Sequence, residues 1–192
     1  TFFGPYNEFE GTGKEIGWPL LRDQGNSAYM RDTGDPKTAE GGQIEWGYYE
    51  ETNPRLCHPR DLLEKHEARL SPSQRDLDME QVLEPLERAI ELTPILGELG
   101  YNESHSFNGF LQVTTDGGPS MGESQKVRGL WYAVAIWVKD GPGMGKLIAD
   151  WMTDGRTSID HHAIDYSRFY PHQMTEQFIW DRCTETAMKV YN

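Results

Sequence analysis

Positive charge is scarce in this sequence. Its 192 residues hold 18 Lys and Arg against 31 Asp and Glu, a formal net charge of −13. A protein that neutralises nucleic-acid phosphates needs clustered cations, and here they are spread thinly, so no nucleic-acid partner is expected. Long apolar runs are missing too. None approaches the roughly 20 residues that cross a bilayer, and the start lacks a basic segment followed by an apolar one, so no membrane partner is expected. Cysteine is limited to Cys57 and Cys183, with no C-x-x-C pair. That excludes a disulfide framework and fits a reducing, cytoplasmic setting. His161, His162 and His172 stand near Asp160 and Asp165, but their spacing matches no zinc pattern, and no metal site is expected. The first residues, "TFFGPYNEFEG", contain no initiator methionine, and the sequence reads as a piece of something longer.

What is present reads first as strands. "GWPLLRD" and "SAYMRD" flank Gln24, Gly25 and Asn26, the composition of a hairpin loop. Alternation places Ser27, Tyr29 and Arg31 on one strand face. "GGQIEWGYYEE" gives another aromatic-rich strand, and Asn53 to Asp61 reads as a polar loop. From Asp76 to Leu99 the period becomes helical, with Met79, Val82, Leu83, Leu86 and Ile90 at three- and four-residue spacings. Pro85 and Pro94 interrupt it, which predicts successive short helices with a cut just before Pro85. "SFNGFLQVTTDGGPSMG" predicts a strand and a tight Asp-Gly-Gly-Pro turn, and Leu130 to Val138 a strand buried on both faces. The next helix carries Met144, Leu147, Ile148, Trp151 and Met152 on one side and stops at Gly155. A last helix starts from Thr175 as N-cap, with Phe178, Ile179, Cys183, Ala187 and Val190 along one stripe.

Between the apolar run and that helix lies "DGPGMGK". A dinucleotide fingerprint needs G-x-G-x-x-G after the first strand of a βαβ unit, and here the glycines fall at 141, 143 and 145 with no second strand to follow. A Walker A loop fails as well, because no Ser or Thr follows Lys146. Two readings stay open: a backbone that a negatively charged ligand approaches at a helix start, and a close strand–helix packing turn.

Four segments taken in order are more specific than that turn. "LEPLERAIELTPIL", "FNGFLQVTTDGGPSMGE", "GLWYAVAIWVKDGPGMGKLIADWMTDGRTSID" and "DYSRFYPHQMTE" together resemble the dimethylglycine and sarcosine dehydrogenase family of FAD-dependent amine oxidoreductases, relatives of D-amino-acid oxidase. The similarity covers nearly all of residues 16 to 192. It implies an α+β fold in which residues 1–128 are the later part of a substrate-binding lobe, an antiparallel sheet with helices on it. Residues 129–158 would be the returning strand and helix of a split FAD domain, and 159–192 a connector and helix toward a following domain. Partners implied are an N-terminal FAD-binding portion, which carries the missing fingerprint, a C-terminal aminomethyltransferase-like domain that handles tetrahydrofolate in some relatives, and a small amine substrate.

The resemblance also implies site residues. Gly141, Pro142, Gly143, Met144 and Gly145 become the closing turn beside the flavin ring, with the following helix aimed at the edge that turns negative on reduction. Pro142 stands where many relatives have another glycine, and it removes one N–H donor. Tyr29 is expected as a catalytic hydroxyl near the amine and Arg31 as a carboxylate partner. The competing reading of that pair is a packed Tyr and an exposed Arg on an ordinary strand. Trp46 and Tyr48 are expected as pocket walls for a methylated cation, against the alternative that they are core. The expected activity is oxidative demethylation of a small N-methylated amine or amino acid. The alternative is a non-catalytic homologue or accessory fragment that acts as a binding or regulatory module.

Overall fold

The computed structural model describes residues 2–6, 19–35, 41–52, 54–58, 74–102 and 105–190. The fold is α+β, built from short antiparallel sheets and helices. The chain divides into two units. The first holds the residues up to Glu51 together with Cys57–Phe110, and the second holds Thr52–Leu56 and Leu111–Val190.

In the first unit, β1 (Phe2–Tyr6), β2 (Leu21–Asp23), β3 (Ala28–Asp35), β4 (Gly41–Tyr48) and β6 (Tyr101–Asn102) form one antiparallel sheet in the order β2-β3-β4-β1-β6. The short strand β5 (Gln74–Arg75) pairs with β7 (Asn108–Gly109). The predicted hairpin forms, with Leu21 opposite Met30 and Asp23 opposite Ala28. Its turn is tied by the Asp23 carboxylate, which accepts from the backbone N–H of Asn26 at 3.3 Å and from its side-chain amide at 2.6 Å. Ser27 departs from expectation. It belongs to the turn, at φ 49°, and is buried, so the strand begins at Ala28 and only Tyr29 and Arg31 share the face expected for all three.

Period two then divides the sheet. Ala28, Met30, Ile44 and Trp46 are buried and meet Val82, Leu86, Ala89 and Leu96 from the helices α1 (Met79–Leu92) and α2 (Ile95–Leu99), forming one core. Leu83, counted in the apolar stripe, is half exposed instead.

The cut expected before Pro85 does not occur. α1 runs unbroken through Pro85 and ends at Thr93, so the break falls at Pro94, which caps α2. Proline withholds the N–H that would bond the carbonyl four residues back, here that of Gln81. The Tyr48 hydroxyl donates to that carbonyl at 2.7 Å, and the helix survives because β4 supplies the donor.

In the second unit, β8 (Ser120–Glu123) pairs antiparallel with β9 (Trp131–Val134), Ser120 opposite Val134 and Glu123 opposite Trp131. The strand expected over Leu130–Val138 and buried on both faces is therefore only four residues long, with Ala133 and Val134 exposed. Ala135 adopts φ 54° and ends it, and a 3-10 turn over Val138–Asp140 follows. The strand expected before the Asp-Gly-Gly-Pro turn is likewise reduced to β7, although the turn itself forms at Thr115–Gly118. α3 (Gly141–Asp154) ends as predicted at Gly155, whose φ of 68° suits glycine. Its Trp151 meets Trp131 edge-on at 5.6 Å and packs on His161 at 4.0 Å. α4 (Glu176–Ala187) starts from Thr175, whose hydroxyl accepts from the Phe178 N–H at 3.4 Å. Among the described residues no helix is long and apolar enough to cross a membrane.

Candidate functional site

Tyr29 and Arg31 lie on the sheet face opposite the helices, in register with Gly47 and Glu45 of β4. The phenol of Tyr29 lies flat across Gly47. A Cβ built on Gly47 would stand 2.3 Å from the Tyr29 hydroxyl oxygen and 2.4 Å from Cζ. Tyr49 extends the aromatic surface, with its ring 5.8 Å from that of Tyr29 and tilted by 44°. Arg31 donates from Nε to Glu45 Oε2 at 2.7 Å, and its side chain is 55% exposed. The Glu45 carboxylate raises the guanidinium pKa further above its already high value, first through this hydrogen bond and then through charge. Arg31 thus presents a permanent cation beside a phenol, with its orientation set by one carboxylate.

Trp46 and Tyr48 stand on the other face, as alternation requires. Trp46 is 1% exposed in the core and stacks on Tyr48 at 5.6 Å and 19°, while the Tyr48 hydroxyl serves α1. They do not line a surface with Tyr29 and Arg31. Sequence reasoning had missed Glu45 and Gly47, and the signal available for them was the same alternation, carried across the strand pair.

The glycine segment belongs to the second unit and is helical. Gly141 has φ −49° and ψ −53°, and it opens α3 with no preceding loop of glycines. Pro142 occupies the first turn, where a missing N–H costs nothing. The Gly141 N–H bonds the Val138 carbonyl, and no side chain caps the helix, because Asp140 pairs with Lys139 at 2.8 Å. Of the first three helical positions, Gly143 is left to offer its amide outward. An added Cβ at Gly141, Gly143 or Gly145 would meet no atom within 4 Å. Helical spacing puts Gly141 and Gly145 on one side of the first turn and Gly143 on the other, so what the segment offers is an uncrowded, positively polarised helix start and not a single glycine face.

Arg168 was read only as part of a connector. Its side chain, 10% exposed, grips the Asp-Gly-Gly turn: Nε donates to Asp116 Oδ2 at 2.7 Å and Nη2 to Oδ1 at 2.9 Å. Nη1 donates to the Asp165 carbonyl at 3.0 Å, and the guanidinium lies 4.2 Å over the Phe169 ring. Asp116 also accepts from Thr114 Oγ1 and the Gly118 N–H. Its carboxyl is held below the usual aspartate range, chiefly by Arg168. His161, within the histidine group, shares a 2.8 Å hydrogen bond with Thr157.

Residues 154–192 match the family described as the FAD dependent oxidoreductase central domain. Over 91% of its length the chain is 27% identical to the human mitochondrial sarcosine dehydrogenase. It is 25% identical over 96% of its length to the formaldehyde-forming 4-methylaminobutanoate oxidase of Paenarthrobacter nicotinovorans, and 24% over 79% to rat mitochondrial dimethylglycine dehydrogenase. Over most of its length the chain is similar to these two dehydrogenases and this oxidase. It spans only 18%, 21% and 17% of their respective lengths. The resemblance drawn from the four sequence segments is thereby borne out, and it extends across both units.

Proposed function

We propose that this chain is the substrate-lobe and flavin-closing portion of an FAD-dependent enzyme that oxidatively demethylates a small N-methylated amine or amino acid. The observation that carries this reading is the similarity over nine-tenths of the chain to the human sarcosine dehydrogenase, shared with a formaldehyde-forming 4-methylaminobutanoate oxidase. Bound FAD would supply a two-electron acceptor for the methyl C–H bond. In this chain the opening turn of α3, Gly141 to Gly145, would border that cofactor, its small residues giving room and the N–H groups of the helix start giving donors toward developing negative charge.

The remaining work falls to the outer face of the first unit's sheet. The Tyr29 hydroxyl donates a hydrogen bond to the substrate nitrogen, which favours the unprotonated amine and orients it. Arg31, steadied by Glu45, pairs with a substrate carboxylate through its remaining guanidinium N–H groups. Water then attacks the oxidised N–CH carbon, the C–N bond breaks, and formaldehyde leaves with the demethylated amine. A chain of this kind would depend on an N-terminal FAD-binding portion, and any transfer of the carbon to tetrahydrofolate would require a further domain.

The test uses the full-length protein carrying this chain, purified with its flavin. Anaerobic addition of sarcosine, dimethylglycine and 4-methylaminobutanoate is followed by flavin bleaching and by formaldehyde release after turnover. Bleaching with stoichiometric formaldehyde by at least one of the three is expected. A flavin that none of them reduces, or reduction without formaldehyde, overturns the reading.

A further inference from the structure

We propose that Gly47 is the positioning residue for the Tyr29 hydroxyl, and that its missing side chain sets the height at which that hydroxyl meets the substrate amine. The inference rests on the reading of Tyr29 given above. Gly47 sits directly opposite Tyr29 in the β3–β4 pair. In strands, side chains stand roughly perpendicular to the sheet and lean along it, so a phenol opposite any other residue projects outward past the neighbour's Cβ. Here the ring occupies the place of that Cβ, with its hydroxyl oxygen and Cζ 2.3 and 2.4 Å from where the atom would be. The hydroxyl therefore ends low, on the backbone of β4, instead of out in front of the sheet.

Two neighbours make that placement chemically useful. Tyr49 stands on one side, 5.8 Å away between ring centres. On the other side, one pleat along, is the Arg31–Glu45 pair. A ligand with a carboxylate on Arg31 has its next few atoms over the strand pair, where the Tyr29 oxygen lies. Raising the ring by one methyl group fills that space and moves the oxygen away from the nitrogen. Glycine at 47 thus admits a short N-methyl amino acid, whose nitrogen is one carbon from its carboxylate, to both groups at once.

The experiment is a double-mutant cycle in full-length holoenzyme, with Gly47→Ala, Tyr29→Phe and the double variant assayed on sarcosine and dimethylglycine. Flavin content and thermal midpoint are measured alongside. Gly47→Ala is expected to lower kcat/KM by about tenfold, the scale of one hydrogen bond to a charged or developing-charge group. Tyr29→Phe should do the same, and the double variant should be no worse than Tyr29→Phe alone. A purely structural glycine would change the midpoint and leave the kinetic constants together, or make the two losses multiply. Either result overturns the proposal. If Tyr29→Phe retains parental kinetics, the role of Tyr29 falls and Gly47 with it. If Tyr29→Phe is impaired and Gly47→Ala is not, only the positioning role falls. Should Gly47→Ala not fold, fluorotyrosine incorporated into the parent holoenzyme carries the test. The fluorine resonance assigned to residue 29 must show a ring locked against flipping and must shift on adding sarcosine; a freely flipping ring or an unmoved resonance overturns the proposal.

Discussion

The hydroxyl of Tyr48 donates to the backbone carbonyl of Gln81, four residues before Pro85. A strand side chain thus supplies the hydrogen that proline withholds from a helix. The bond ties β4 to α1 across the core that also holds Trp46, Val82 and Leu86. Tyr48→Phe is expected to destabilise the protein by about 0.5–1.5 kcal/mol, the net value of one such bond. Pro85→Ala restores the in-helix N–H. In that background Tyr48→Phe should cost markedly less, read from denaturant midpoints in a double-mutant cycle. Equal costs in both backgrounds would mean that the phenol's bond is incidental to the proline.

Asp116 and Arg168 link acid stability to one turn. The folded-state pKa of Asp116 is depressed, so its contribution is fully present above the unfolded-state value of about 4 and is lost as pH falls through the lower folded value. Asp116→Asn should flatten the pH dependence of stability below about pH 4. At neutral pH the same change strips a mostly buried guanidinium of its counterion. The carboxylate is 44% exposed, which screens the pair, so the expected loss is about 1–2 kcal/mol, below that of a fully buried pair. Urea titrations at pH 3 and pH 7 check both statements.

Gly143 separates stability from function. It is helical, and a Cβ there meets nothing within 4 Å. Gly143→Ala should therefore stabilise α3 by about 0.5–1 kcal/mol. In the flavin-bound full-length protein the same methyl group should lower the flavin potential and slow reduction by substrate. Unfolding midpoints, potentiometry and stopped-flow absorbance provide the readouts. A more stable protein with unchanged potential and reduction rate would make the start of α3 a neutral surface.

Glu45 steadies Arg31, and the pair predicts a split in substrate preference. Arg31→Lys loses the planar fork, so KM should rise more for a carboxylated methylamine than for an uncarboxylated one. Glu45→Gln keeps a hydrogen-bond acceptor but removes a competing charge, so KM for the carboxylated substrate should move the opposite way. Steady-state kinetics on sarcosine and an N-methylalkylamine test this. Identical effects on both substrates would remove Arg31 from carboxylate recognition.

Local signals were legible wherever local physics decided the outcome. The Gln24–Asn26 turn, β4, the Gly155 stop and the Thr175 cap follow from turn chemistry, alternation and capping, each within a few residues. What was misread depended on distant partners. The continuity of α1 hangs on Tyr48, 33 residues before Gln81. The shortness of β9 follows from Ala135 in the left-handed region, where its N–H is held by Gln112 Oε1 at 3.0 Å. An apolar run from 130 to 138 carries no trace of that. The candidate site was half visible: alternation aligns Tyr29 with Arg31, but pairing them with Gly47 and Glu45 needs the register between strands. The same register sends Trp46 and Tyr48 to the opposite face.

The Asp116–Arg168 clamp bears on how these proteins can be recombined. The family match begins at residue 154, so it contains Arg168 but not Asp116, 52 positions earlier. A chimera of two relatives spliced near 154 would inherit the guanidinium from one parent and the turn from the other. Grafts should tolerate that seam only when the donor of the upstream half carries an acid at the position of Asp116, which makes this pair a compatibility rule for domain exchange.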